Sequence, residues 1–283
     1  MAKRESKTKA VALRKTTAVG AWGGYKGPLG TEDIETKDIT IPRLKIGQAL
    51  SPLVQSKQFD EGSLYLNVTG QPVYTPDDEE GLQVIVVGRY KEYILWRPQK
   101  DGGGILARAK AVKDKKTGIT RYAWDKPNQK FNVKVGGTTK VTWEIKKYVD
   151  ENNIAEWGSE IPGDKESGIA ATEHHNYVVI LPGVGNTVAA FSLSRTAAKK
   201  ARDLNAVLKM DVSAPIFAKV FRVKTIDERN QANQGYKNVS FSPDGYLEPG
   251  SDLAKMAESC AKGLDKFSFD QSDEDEAAGE RNV

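Results

Sequence analysis

The run LQVIVVGRYKEYILWRP, residues 82–98, constrains the fold of this chain more than any other segment. Leu82 to Val87 is almost entirely apolar, the composition of a strand buried on both faces. From Arg89 the pattern changes to alternation. A period of two puts Arg89, Lys91, Tyr93, Leu95 and Arg97 on one face, with Tyr90, Glu92, Ile94 and Trp96 on the other. Pro98 and the glycines at 102–104 close the run. A segment that begins as core and continues as cations interleaved with rings requires a sheet around its first half and solvent or a ligand beside its second.

The rest of the chain supplies that sheet. Residues 119–125 and 141–149 alternate. Residues 176–181, the turn PGVGN and residues 187–193 read as a hairpin with a loop of about five residues. Residues 216–226 and 236–241 read as another hairpin, across the polar loop DERNQANQ. Helical signals are few. Ser194 is positioned to cap RTAAKKARDLNAVLKM, where Ala197, Ala201, Leu204 and Leu208 share a face, and Ser251 opens DLAKMAESCAKGL. Many short strands with two late helices predict a mainly β fold, an OB-fold-like, partly open β-barrel with helical additions and disordered termini.

Charge separates the ends from the middle. Residues 1–15 carry a balance of +5 and residues 265–283 a balance of −5, in a chain whose net charge is +4. Residues 1–30 are low in large aliphatics and read as a basic, Gly-rich mobile arm. Residues 31–268 read as one β-rich domain and 269–283 as an acidic disordered tail. No apolar run reaches the roughly 18 residues of a spanning helix, and none near the start resembles a secretory signal. Host cytoplasm and no membrane association are the expectations. With Cys260 as the single cysteine, an intramolecular disulfide is excluded.

The second half of 82–98 carries the functional expectation. Cations that track phosphates and flat rings that stack on bases form a groove for single-stranded nucleic acid, and each stacked base contributes about 1–3 kcal/mol. Arg89, Lys91, Arg97, Arg108 and Arg121 are the expected phosphate partners; Tyr93, Trp96 and Trp124 are the expected stacking rings. Strict alternation turns Trp96 away from Tyr93, so its role requires a twist or bulge near Pro98. Asp273, Glu274, Asp275 and Glu276, introduced by Phe267 and Phe269, form an aromatic–acidic pattern suited to docking partner proteins and to competing with DNA.

Other constellations favour bland readings. His174 and His175 are adjacent, so in a strand they point to opposite faces and cannot easily share an ion. Asp77, Asp78, Glu79 and Glu80 follow Pro76 and read as a solvated loop rather than as a magnesium-dependent nuclease site. GVGNTV matches neither GxxxxGK[ST] nor GxGxxG and is a turn. Cys260 belongs to the apolar side of its helix. No catalytic residue, metal or cofactor is expected, and the chain reads as a binding protein rather than an enzyme.

The runs IPRLKIGQALSP (41–52), EGSLYLNVTGQPVY (61–74) and LQVIVVGRYKEYILWRPQKDGGG (82–104) resemble a family of tailed-bacteriophage single-stranded DNA-binding proteins. The layout of β core, few helices and acidic tail is similar to theirs. The resemblance implies a protein that coats single-stranded DNA during phage replication and recombination and recruits replisome proteins such as polymerase or helicase–primase through its tail. The C-terminus GERNV departs from the aromatic ending of many such tails. Competing expectations are a phage structural or virion-assembly protein, with these rings in the core, and a strand-annealing recombination protein. Homo-oligomerisation is left open.

Overall fold

Strand β4 runs from Leu82 to Trp96 and is the spine of the molecule. In the computed structural model, residues 41–96, 104–113, 120–135, 139–145, 171–229 and 233–264 are described. The N-terminal arm, the acidic tail and Arg97 lie outside them. In chain order the strands are β1 (Arg43–Ile46), β2 (Leu64–Leu66), β3 (Pro72–Tyr74), β4, β5 (Ile105–Lys113), β6 (Thr120–Trp124), β7 (Lys130–Val135), β8 (Thr139–Glu144), β9 (Ala171–Leu181), β10 (Thr187–Ser194), β11 (Lys219–Arg229) and β12 (Gly235–Tyr246). Among the described residues the helices are a single turn, α1 (Pro52–Gln55), then α2 (Ala198–Met210) and α3 (Asp252–Lys262). The fold is mainly β, as the pattern of short strands predicts.

Ten strands form one sheet, in the order β12-β11-β4-β9-β10-β1-β2-β3, with β5 and β6 continuing from β4; β7 and β8 pair separately. The sheet curls. Side chains from β1, β2, β3, β4, β9, β10, β11 and β12 meet in one apolar cluster with Ala201, Leu204 and Leu208 of α2. Phe191 on β10 and Phe241 on β12, far apart along the sheet, bring their rings within 6.2 Å. Across the open seam, the Gln48 amide donates to the Lys237 carbonyl (2.7 Å) and accepts from the Lys237 N–H (3.0 Å). The seam is therefore held by a side chain rather than by a strand ladder.

The apolar run at Leu82–Val87 behaves as its composition requires. Leu82, Val84 and Val86 face the curled interior. Ile85 and Val87 face outward, under Ala257, Leu253, Met256 and Cys260 of α3. Gly88 is needed where α3 ends, because a Cβ there would lie 2.3 Å from Leu264 Cδ1. The β9–β10 hairpin closes through Pro182–Asn186, with Gly185 and Asn186 both at positive φ. Ser251 caps α3 by accepting from Ala254 N–H at 3.2 Å. Ser194 does not cap α2. A 3-10 turn, Arg195–Ala197, intervenes and the hydroxyl makes no capping bond.

The C-terminus of α2 is satisfied by a buried lysine. Lys219, 4% exposed, donates to the carbonyls of Leu208 (3.0 Å) and Asp211 (2.5 Å) and lies 3.4 Å from the Asp211 carboxylate. A cation at the carbonyl end of a helix is also favoured by the helix dipole. Lys219→Met should cost about 1.5–3 kcal/mol, read as a lowered urea midpoint with unchanged m.

Candidate functional site

A bulge decides which way the second half of β4 faces. Val86 pairs with Val179 of β9, but Gly88 pairs with Val178, so Val87 is an extra residue. Side chains alternate with a period of two, and one inserted residue moves every later side chain to the other face. Arg89, Lys91 and Tyr93 are consequently delivered to the same side as Val84 and Val86, beside α2, opposite Tyr177, His175 and Glu173 of β9. Ala109 of β5 and Trp124 of β6 complete that face, in the row Tyr93–Ala109–Trp124. Trp96, Arg108 and the backbone position of Arg121 belong to the outer face, with Glu92 and His174.

The expected contact residues are therefore not one channel. On the inner face, Arg89 is exposed and Trp124 half-buried. Lys91, with 36% of its side chain exposed, pairs with Glu173 and lies 5.3 Å from the centroid of the Tyr93 ring. Tyr93 itself is 3% exposed, so it is packed against its neighbours and presents no face to a base. On the outer face, Trp96 is 6% exposed, its ring 6.4 Å from that of His174. A bulge does occur between Leu95 and Trp96 in the pairing with β5, but it does not bring Trp96 to the inner face. Both rings are corrections to the stacking role expected of them. Period-two alternation places each ring on its own face, and each is packed within the protein there rather than left open to a ligand. The side chain of Arg121 lies outside the described residues, as do Asp273, Glu274, Asp275 and Glu276.

Each face of the ribbon carries a polar cluster that neighbour-by-neighbour reading missed. On the inner face, Glu173 Oε1 is engaged by Lys91 and lies 3.1 Å from His175 Nε2. His175 Nδ1 is 3.5 Å from the Asn205 amide of α2. Tyr177 donates to the Ala201 carbonyl (3.0 Å) and contacts Asn205 Oδ1 (3.0 Å). Burial opposes ionisation of Glu173, but the adjacent His175 and the Lys91 ammonium prevail and hold its pKa at about 2.

On the outer face, Glu92 is 2% exposed and accepts from the Asn176 amide at 2.7 Å, with the Arg108 guanidinium 3.8 Å away. Burial raises the Glu92 pKa, and Arg108 and Asn176 offset part of that rise. His174 Nδ1 sits 3.3 Å from Ser192 Oγ. Burial, then the charges of Arg195, Arg108 and Arg43, depress its pKa to about 3, so the imidazole is neutral. His174 Nε2 and Trp96 Nε1 are buried with no hydrogen-bond partner, and His175 Nε2 on the inner face, though 3.1 Å from Glu173 Oε1, is not aligned to bond it. The legible signal for Glu92 was its place between Tyr90, Ile94 and Trp96 on an apolar face, where a carboxylate needs a partner. That Asn176 supplies it was not legible.

The two histidines face opposite sides, as adjacent strand residues must. Among the described residues no group of three or more His, Cys, Asp or Glu side chains is arranged to hold a metal ion. No described helix is long and apolar enough to cross a membrane. Asp77–Glu80 is exposed loop, tied back by Lys224, which donates to the Glu79 carbonyl. Cys260 is half-buried against Val87 and its neighbours, and burial raises the pKa of its thiol.

The family model described as Pam3 phage gp34-like protein matches residues 7–268. No curated protein and no solved structure matches.

Proposed function

We propose, from the premise that this chain belongs to the Pam3 phage gp34-like protein family, that it is a non-enzymatic phage protein that coats single-stranded DNA during replication or recombination. The observation that carries the reading is the inner face of the β9–β4–β5–β6 ribbon. There the exposed guanidinium of Arg89, the ammonium of Lys91 and the half-buried ring of Trp124 share one side of the sheet beside α2. Arg89 and Lys91 pair with phosphates, and Trp124 stacks on a base. Arg108, on the outer face, is a structural partner of Glu92 in this reading. The acidic residues Asp273–Glu276 dock replisome proteins.

Titration with oligo-dT at two salt concentrations, following tryptophan fluorescence, tests it. Quenching with an affinity that falls steeply as salt rises is expected. No quenching and no gel shift at low salt reject it. A second reading, a structural or virion-assembly protein, is favoured by one observation: Tyr93 and Trp96 are core residues. Co-purification with capsids in place of DNA binding would select it.

A further inference from the structure

We propose that Glu173 is an internal stand-in for a phosphate, holding Lys91 until a single strand displaces it. The inference rests on the DNA-binding reading and adds a residue that sets its strength. Glu173 is the one carboxylate among the described residues of the ribbon's inner face, where its neighbours are cationic, aromatic or small. Pairing places it directly opposite Tyr93, and Lys91 opposite His175, so the ammonium bridges diagonally to the carboxylate over the Tyr93 ring. The exposures are unequal: Glu173 is 4% exposed, while 36% of the Lys91 side chain reaches solvent.

That asymmetry makes the pair an exchangeable one. The carboxylate cannot leave, because Glu173 is 4% exposed and its oxygen is packed against His175, which is itself backed by Asn205 of α2. The lysine can leave, because its flexible stem ends in water and its three donors can turn to another oxyanion. A phosphate arriving at Arg89 meets a lysine that must be transferred from Glu173, and an uncovered carboxylate once it has been transferred. Both effects weaken binding, and both disappear if the carboxylate is neutral. With its pKa near 2, Glu173 remains an anion at any working pH, so the competition is constant rather than acid-switched.

Glu173→Gln tests this, since it keeps the shape and an oxygen beside His175 while removing the charge. Oligo-dT affinity at low salt should rise about three- to tenfold, and the slope of log K against log salt should steepen by about 0.7, one additional phosphate contact. A merely structural ion pair would leave that slope unchanged. In a Lys91→Met background the substitution should no longer steepen the slope, because the added phosphate contact is the lysine's. Unchanged or weaker binding by Glu173→Gln, with the wild type binding normally, overturns the inference and leaves the DNA-binding reading standing. An equal steepening of the slope without Lys91 also overturns it. A wild-type chain that does not bind at all removes the reading itself. Should Glu173→Gln melt below the titration temperature, Glu173→Asp is measured against the same criteria, with a smaller expected gain because the charge is only drawn back by one methylene.

Discussion

A chain carrying Arg89→Glu and Trp124→Ala together should bind oligo-dT at least about a hundredfold more weakly at low salt than the wild type. Loss of one stacking ring costs about 1–3 kcal/mol, or about 5- to 150-fold. Trp124 is half-buried and offers only part of its ring, so the lower end of that range applies to it. Reversing Arg89 removes a phosphate contact, lowers the salt slope by about 0.7 and adds repulsion beside Lys91. The informative control is Trp96→Phe. Trp96 is 6% exposed on the opposite face, so this change should leave affinity and salt slope at wild-type values. Equal weakening by Trp96→Phe and Trp124→Ala in the titration would show that the inner face is not where the strand lies.

The other large effect is on stability in acid. His174 has a folded-state pKa of about 3 against an ordinary value of 6.5. Between those values the unfolded chain holds a proton that the folded chain does not, so stability falls as pH is lowered through that window. The full shift corresponds to about 3–6 kcal/mol at its acid end. Glu173 acts in the same direction at lower pH: its depressed carboxyl contributes stability above 4.5 that is lost as pH falls towards 2. Glu92 acts in the opposite direction. Its raised pKa means the folded chain binds the proton more readily, so its contribution declines as pH rises above 4.5. Urea midpoints measured from pH 7 to pH 3.5 should therefore fall steeply in a Glu92→Gln background, where the opposing group is gone. Adding His174→Leu should flatten that fall between pH 6.5 and pH 4.5. An equally steep fall without the imidazole would show that another group carries the acid sensitivity.

The pattern of this chain was legible in different degrees at different places. Leu82–Val87 reads as doubly buried, and it is apart from Gln83, because five apolar residues in six leave little for solvent on either side. The β9–β10 hairpin was legible from PGVGN, whose Gly185 and Asn186 tolerate positive φ. The caps divided: Ser251 caps its helix, whereas Ser194 loses that role to the 3-10 turn that follows it. At Tyr93 and Trp96 alternation was read correctly and exposure was not. Period-two counting assigns faces, but it cannot say what covers them.

What the sequence determined by itself is local: strand-forming composition, the change from continuous to alternating pattern at Gly88, turns built on glycine, and the separation of Tyr93 from Trp96 by the pleat. What the tertiary structure decided is which side each pattern serves. The extra residue at Val87 exists only because β4 pairs with β9, a partner far along the chain, and that single insertion turns Arg89 and Lys91 towards α2. The same pairing sets Glu173 against Lys91 and Asn176 against Glu92. Side-chain direction inverts with every one-residue change of register, and register is a property of two strands, so neither strand alone could have specified it.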